Sequence, residues 1–140
     1  MSNAKTVVVF GTFDALHSGH RFFLRQAKKR AERLIVSLSR DEFVRSIKGR
    51  QPVHTENERA ARLRESGLAD EVHLSDPVPG SYELLLKTKP DLICLGYDQD
   101  LLQKSLRDWL VVKQWRLPLV RLPRSPEGGS SREDGSSASQ

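Results

Sequence analysis

Five short apolar runs are spaced along the chain: Val7 to Phe10, Leu34 to Leu38, Val72 to Leu74, Leu92 to Leu95 and Leu119 to Leu122. Each is bounded by turn residues or charges, as buried strands are. The text between them is helical in character. In "SGHRFFLRQAKKRAER", Phe23, Ala27 and Ala31 recur at helical spacing, while Arg25, Lys28, Lys29 and Glu32 take the other face. "TENERAARLRESG" opens with Thr55 and Glu58 in the three-apart relation of a capping box, and Gly67 closes it. "SYELLLKTK" and "DLLQKSLRDWLVVKQW" are two further helix candidates. There is no internal repeat. Strands alternating with helices through short connections call for a parallel sheet covered on both faces. Right-handed crossovers then give a doubly wound, Rossmann-like α/β domain with five parallel strands.

With 140 residues, the chain has enough length for one domain with a real core. No apolar run reaches membrane-spanning length and no charged-then-apolar leader opens it, so no membrane partner is expected. The single cysteine, Cys94, excludes an internal disulfide and fits a reducing cytoplasm. A net charge of +5 favours anionic partners without choosing among phosphorylated metabolites, nucleotides and nucleic acids. Ser2-Asn3-Ala4 reads as a cloning remnant, which sets residues 1–4 apart from the fold. The domain is expected over 5–122. From 123 to 140, Gly, Ser and charge without apolar periodicity predict a tail that is disordered when alone.

In a doubly wound sheet, ligands bind outside the carboxyl ends of the strands, where strand order reverses. "GTFDALHSGH" after the first run and "GYDQD" after the fourth both fall on that edge. In the first, Ser18 is a plausible N-cap and Gly19 lets backbone approach a ligand closely. The free N–H groups of that helix, with its dipole, suit a phosphate. His17 and His20 straddle the same point and can donate to phosphate oxygens, neutral or cationic. Metal binding competes for them, but H-x-x-H without a third His, Cys or carboxylate pair is a poor zinc set. Neither a P-loop nor a G-x-G-x-x-G fingerprint is present, and Cys94 inside a strand reads as an inert thiol.

"GTFDALHSGH" resembles the G-T-F-D-x-x-H-x-G-H signature of the cytidylyltransferase-like nucleotidylyltransferases. "SIKGRQPV" is similar to that family's basic loop, "NERAARL" to the helix after it and "ADEVHLSD" to the next strand. "KPDLICLGYDQD" resembles a segment of the archaeal-type FAD synthetase branch. The resemblance implies a Rossmann-like fold, transfer of a nucleoside monophosphate, Mg2+ with ATP, and frequent homodimers. It also implies that the substrate's own phosphate attacks the α-phosphorus of the triphosphate while pyrophosphate leaves. On it, His17 and His20 contact the triphosphate at the reacting centre, and Lys48 neutralises phosphate oxygens with Arg50 as a second candidate. Gly11, Thr12 and Phe13 form the backbone turn, and Asp14 holds the loop or the metal. Asp98 reads the base or ribose in a pocket shaped by Gly96, Tyr97 and Gln99. The family's second phosphate-binding turn has one counterpart here, "GGSSRED", with Ser130, Ser131 and Arg132, and no apolar helix follows it.

Plainer roles remain open for several of these residues. Lys48 and Arg50 serve equally as loop charges, Asp98 as a helix cap, and Trp109 and Trp115 as core or dimer interface. The favoured reading is AMP transfer from ATP to FMN, giving FAD and pyrophosphate. Its rivals are an enzyme of the same fold acting on glycerol 3-phosphate with CTP or on a sugar phosphate, and a non-catalytic nucleotide-binding regulatory protein. A nucleic-acid module ranks last, because no aromatics interleave a basic face.

Overall fold

The structure is a computed structural model that describes residues 4–126. Val7, Val8 and Val9 are β-branched and fully buried, a combination that favours a strand packed on both faces. They lie in β1 (Ala4–Gly11), followed by β2 (Ala31–Leu38), β3 (Glu71–Leu74), β4 (Leu92–Leu95) and β5 (Leu119–Arg121). The helices are α1 (Ser18–Lys28), α2 (Asp41–Lys48), α3 (Glu56–Ser66), α4 (Glu83–Thr88) and α5 (Asp100–Lys113). The strands make one all-parallel sheet in the order β3-β2-β1-β4-β5. This is the single-domain, Rossmann-like α/β fold that the alternation predicts. Strand order reverses between β1 and β4, where Val7 pairs with Leu92 and Val8 with Ile93.

The period of two along each strand divides the core into two layers. Val7 and Val9 of β1, Leu34 and Val36 of β2 and Cys94 of β4 pack with Leu24 and Ala27 of α1 and Leu63 of α3. Val8, Phe10, Ile35, Ile93 and Leu95 face the other way, onto Leu84 and Leu85 of α4 and Leu102, Leu106 and Leu110 of α5. The capping box of α3 forms as read: Thr55 Oγ1 accepts from the Glu58 N–H, and Glu58 Oε1 accepts from the Thr55 N–H.

Two elements differ from the reading of periodicity. Ala31 belongs to β2, paired with Ala4, because the helix ends at Lys28 and the chain turns through Lys29 and Arg30. Residues 41–48, with apolar Phe43, Val44 and Ile47, form α2, which the pattern did not single out. Eight residues are too short a window for a 3.6-residue period to stand out.

One buried charge holds the loops at the carboxyl edge of the sheet. Arg59 of α3 has no exposed area. Its Nε donates to the His54 carbonyl at 3.1 Å, one Nη to the Thr12 carbonyl at 2.9 Å and the other to Asp41 Oδ1 at 2.7 Å. Asp41 and Glu56 cap each other's helices reciprocally, each carboxylate accepting from the other's backbone N–H. Arg59→Met should therefore cost about 3 kcal/mol, the order seen when one partner of a buried pair is removed. Urea denaturation of the variant checks this. Burial pushes the Cys94 thiol up to about 11, so at pH 8 it should react with a thiol reagent only as fast as the domain opens. Labelling followed by mass spectrometry reads that rate.

Candidate active site

The turn after β1 is shaped by one ring. A Cβ on Gly11 would lie 2.6 Å from Cε2 of Phe13, so the ring takes the space that any other residue at 11 would fill. Phe13 is held at φ +49°, a left-handed conformation that costs energy for a side chain of this size. Its ring is buried edge-on against His20 at 5.1 Å between centroids and stacks on Phe23 at 6.4 Å. Phe13 thus orients a histidine as well as forming the turn. Asp14 holds the loop: its carboxylate accepts from the Val53 and His54 N–H groups at 2.8 and 3.0 Å. Among the described residues no group of three or more His, Cys, Asp or Glu gathers as a metal set would.

The cap of α1 is His17, where the sequence suggested Ser18. Nδ1 of His17 accepts from the N–H groups of Gly19 and His20 at 3.1 and 3.4 Å, so Ser18 becomes the first helical residue. The imidazole reaches these donors as an Asn side chain does at an N-cap. Two first-turn donors expected to face a phosphate are therefore engaged by the ring. Because Nδ1 accepts, the proton of the neutral ring sits on Nε2. The rings of His17 and His20 stack at 3.8 Å with 11° between their planes.

The opposite wall comes from the end of β4. Gln99 is buried; its Oε1 accepts from the Gly96 N–H at 2.8 Å and its Nε2 donates to the Phe10 carbonyl at 3.0 Å. The side chain so joins β4 to β1 beyond their last paired residues. Gln99, rather than Asp98, takes the N-cap position of α5. Arg121 of β5 donates to the Tyr97 carbonyl at 2.6 Å and to Asp100 Oδ1 at 2.7 Å. The guanidinium of Arg124 lies 5.5 Å from the centre of the Tyr97 ring.

Between these walls is a narrow cleft of about 50 Å3, and it gathers His17, Gly19, His20, Gly96, Tyr97, Asp98, Gln99 and the Phe13 ring. Lys48 and Arg50 do not line it. Lys48 ends α2 half-buried, Gly49 turns the chain at φ +72°, and Arg50 is exposed on the loop that Asp14 anchors at its far end. Ser130, Ser131 and Arg132 lie outside the described residues. Three contributors went unread in the sequence. Nothing in the pattern of "NERAARL" sets Arg59 apart from the other charges of that helix. Phe23 read only as core. Arg124, which lines the cleft with Pro123 and Ser125, sits in text that resembles a tail, and no periodic signal marks it.

The cytidylyltransferase-like family model matches residues 8–117. The chain belongs to that family. The FAD synthase of Pyrococcus abyssi is 42% identical over 117 residues, covering 84% of this chain and 79% of that protein. The FAD synthase of Korarchaeum cryptofilum is 39% identical over 130 residues, 91% and 87% of the two chains. Among solved structures, the lipopolysaccharide core biosynthesis protein from Thermoplasma volcanium superposes with a TM-score of 0.78 at 30% identity, covering 88% of this chain and 99% of that one.

Capping and chemistry at His17 can be separated. His17→Ala should lose about 1 kcal/mol of stability with the cap and also lose activity. His17→Asn should regain the stability, since Asn caps well, but recover less activity because it lacks the reach of Nε2. Thermal melts and turnover on the same preparations test this.

Proposed function

We propose that this chain is an FMN adenylyltransferase, transferring AMP from MgATP to the phosphate of FMN to give FAD and pyrophosphate. The observation that carries the reading is the stacked pair His17 and His20 at the start of α1, beside the point where strand order reverses. The FAD synthase relatives support the choice of nucleotide and acceptor.

A phosphate oxygen of FMN attacks the α-phosphorus, a new P–O bond forms, and the bond to the bridging oxygen of pyrophosphate breaks. No protein nucleophile is required, so the residues position the reactants and stabilise charge. His17 and His20 donate to oxygens of the triphosphate, with Nε2 as the donor on His17. Gly19 admits the backbone close to the phosphates. Asp98 and Tyr97 hold the base and ribose, and Gln99 keeps their loop against β1. Lys48 at the end of α2 and Arg50 on the next loop neutralise phosphate oxygens, as Arg132 does, and the hydroxyls of Ser130 and Ser131 hydrogen-bond them. Mg2+ enters with the triphosphate as part of the substrate. Among the described residues no helix is long and apolar enough to cross a membrane, and we place the reaction in the reducing cytoplasm.

Pyrophosphate release over a matrix of ATP or CTP against FMN, glycerol 3-phosphate and sugar phosphates tests the assignment. ATP with FMN should dominate, and a clear preference for CTP would overturn it. His20→Ala should lower kcat by about 100- to 1,000-fold, the cost of one preorganised donor, with little change in the KM for ATP. His20→Asn should restore part of that rate.

A further inference from the structure

A second groove opens at the same edge of the sheet, and Phe10, at the end of β1, belongs to the walls of both openings. Its cavity volume is about 510 Å3, within the roughly 300–1,000 Å3 of ligand pockets. Besides Phe10, its walls are Phe43 of α2, Pro77 and Val78 of the loop after β3, Tyr82 before α4, and Leu101 of α5. Four separate segments thus contribute flat or branched apolar surface to one space.

The groove is built rather than incidental. Tyr82 stands at φ +48°, a strained conformation for an aromatic residue. Its ring meets Phe10 edge-on at 5.7 Å and Trp109 edge-on at 5.6 Å, and its hydroxyl hydrogen-bonds Ser105 at 2.7 Å. Asp76 fixes the loop beneath it, its Oδ2 accepting from the Ser81 hydroxyl and the Glu83 N–H. Arg40 is anchored by its Nε to the Ser75 carbonyl at 2.6 Å and supplies a cation to the lining. At the rim, Leu101 is 70% exposed and Val78 64% exposed, two large apolar side chains that nothing among the described residues covers.

We infer that this groove takes the planar isoalloxazine ring of the acceptor flavin, and that Phe43, Tyr82 and Leu101 set the preference for it. The inference rests on the FMN adenylyltransferase reading. The histidine cleft has to hold the triphosphate, so a bulky acceptor must bring its phosphate there while its ring lies elsewhere. The groove shares Phe10 with that cleft, so the two openings lie side by side at the sheet edge. Its aromatic and proline walls match a flat tricycle, whereas a small alkyl phosphate would leave them wet.

Steady-state kinetics with FMN on Phe43→Ala and Leu101→Glu test the inference. Leu101→Glu alters a side chain that is mostly in water and so keeps the fold even if Phe43→Ala loosens it. Each should raise the KM for FMN about tenfold, the order of one lost aromatic or apolar contact, with kcat and the KM for ATP within about twofold. FMN fluorescence, quenched when the wild-type chain binds the flavin, should be quenched less by Phe43→Ala at equal concentration. Val111→Glu, on a side chain 76% exposed outside the groove, should leave both readouts unchanged. If FMN remains the substrate and its KM is unmoved in both groove variants, the ring lies elsewhere and only this inference fails. If Leu101→Glu instead changes self-association in sedimentation with that KM unmoved, the groove is a contact between copies of the chain and the inference fails. If the wild-type chain does not turn over FMN, the functional reading fails and takes the inference with it.

Discussion

Removing a guanidinium from water is costly unless its donors are satisfied and its charge is matched. Arg59 meets both demands with the carbonyls of His54 and Thr12 and the carboxylate of Asp41. Those three partners belong to three different segments: the turn after β1, the start of α2 and the residue before the α3 cap. Their separate conformations become one arrangement, since moving any segment leaves a buried polar group without its partner. The reciprocal bonds between Asp41 and Glu56 and the bonds from Val53 and His54 to Asp14 tighten the same knot. The turn carrying His17 and His20 is therefore held from behind by hydrogen bonds to α3, through it to α2, and to the segment before α3.

Strand order then decides what this rigid turn faces. The reversal between β1 and β4 leaves a crevice at their carboxyl ends, and Gln99 sets its width by bonding across it to Phe10 and Gly96. His17 serves twice in that crevice. One ring nitrogen satisfies the orphan donors of α1, and this bond leaves the proton of the neutral ring on the other nitrogen.

Much of this is legible in the sequence. The five apolar runs place the strands because continuous burial on both faces needs uninterrupted apolar text, and the signature around His17 and His20 marks the family. The less legible parts share one cause. The capping role of His17 depends on the ring reaching two N–H groups, which residue type alone does not specify. Ala31 lies four residues after Ala27, a spacing that a helix satisfies, yet its place in β2 is fixed by pairing with Ala4. Arg124 meets Tyr97 only because β5 returns the chain beside β4.

By itself the sequence determined the fold class, the family signature and the edge of the sheet on which His17 and His20 fall. Those follow from hydrophobic patterning and from a contiguous motif, both of which are local along the chain. Only the tertiary structure decided that Arg59 is a buried clamp, that Phe13 orients His20, that Arg124 joins the cleft and that a second groove opens past Phe10. Each of these depends on contacts between residues distant in sequence, and their geometry exists only once the sheet has brought the strand ends together.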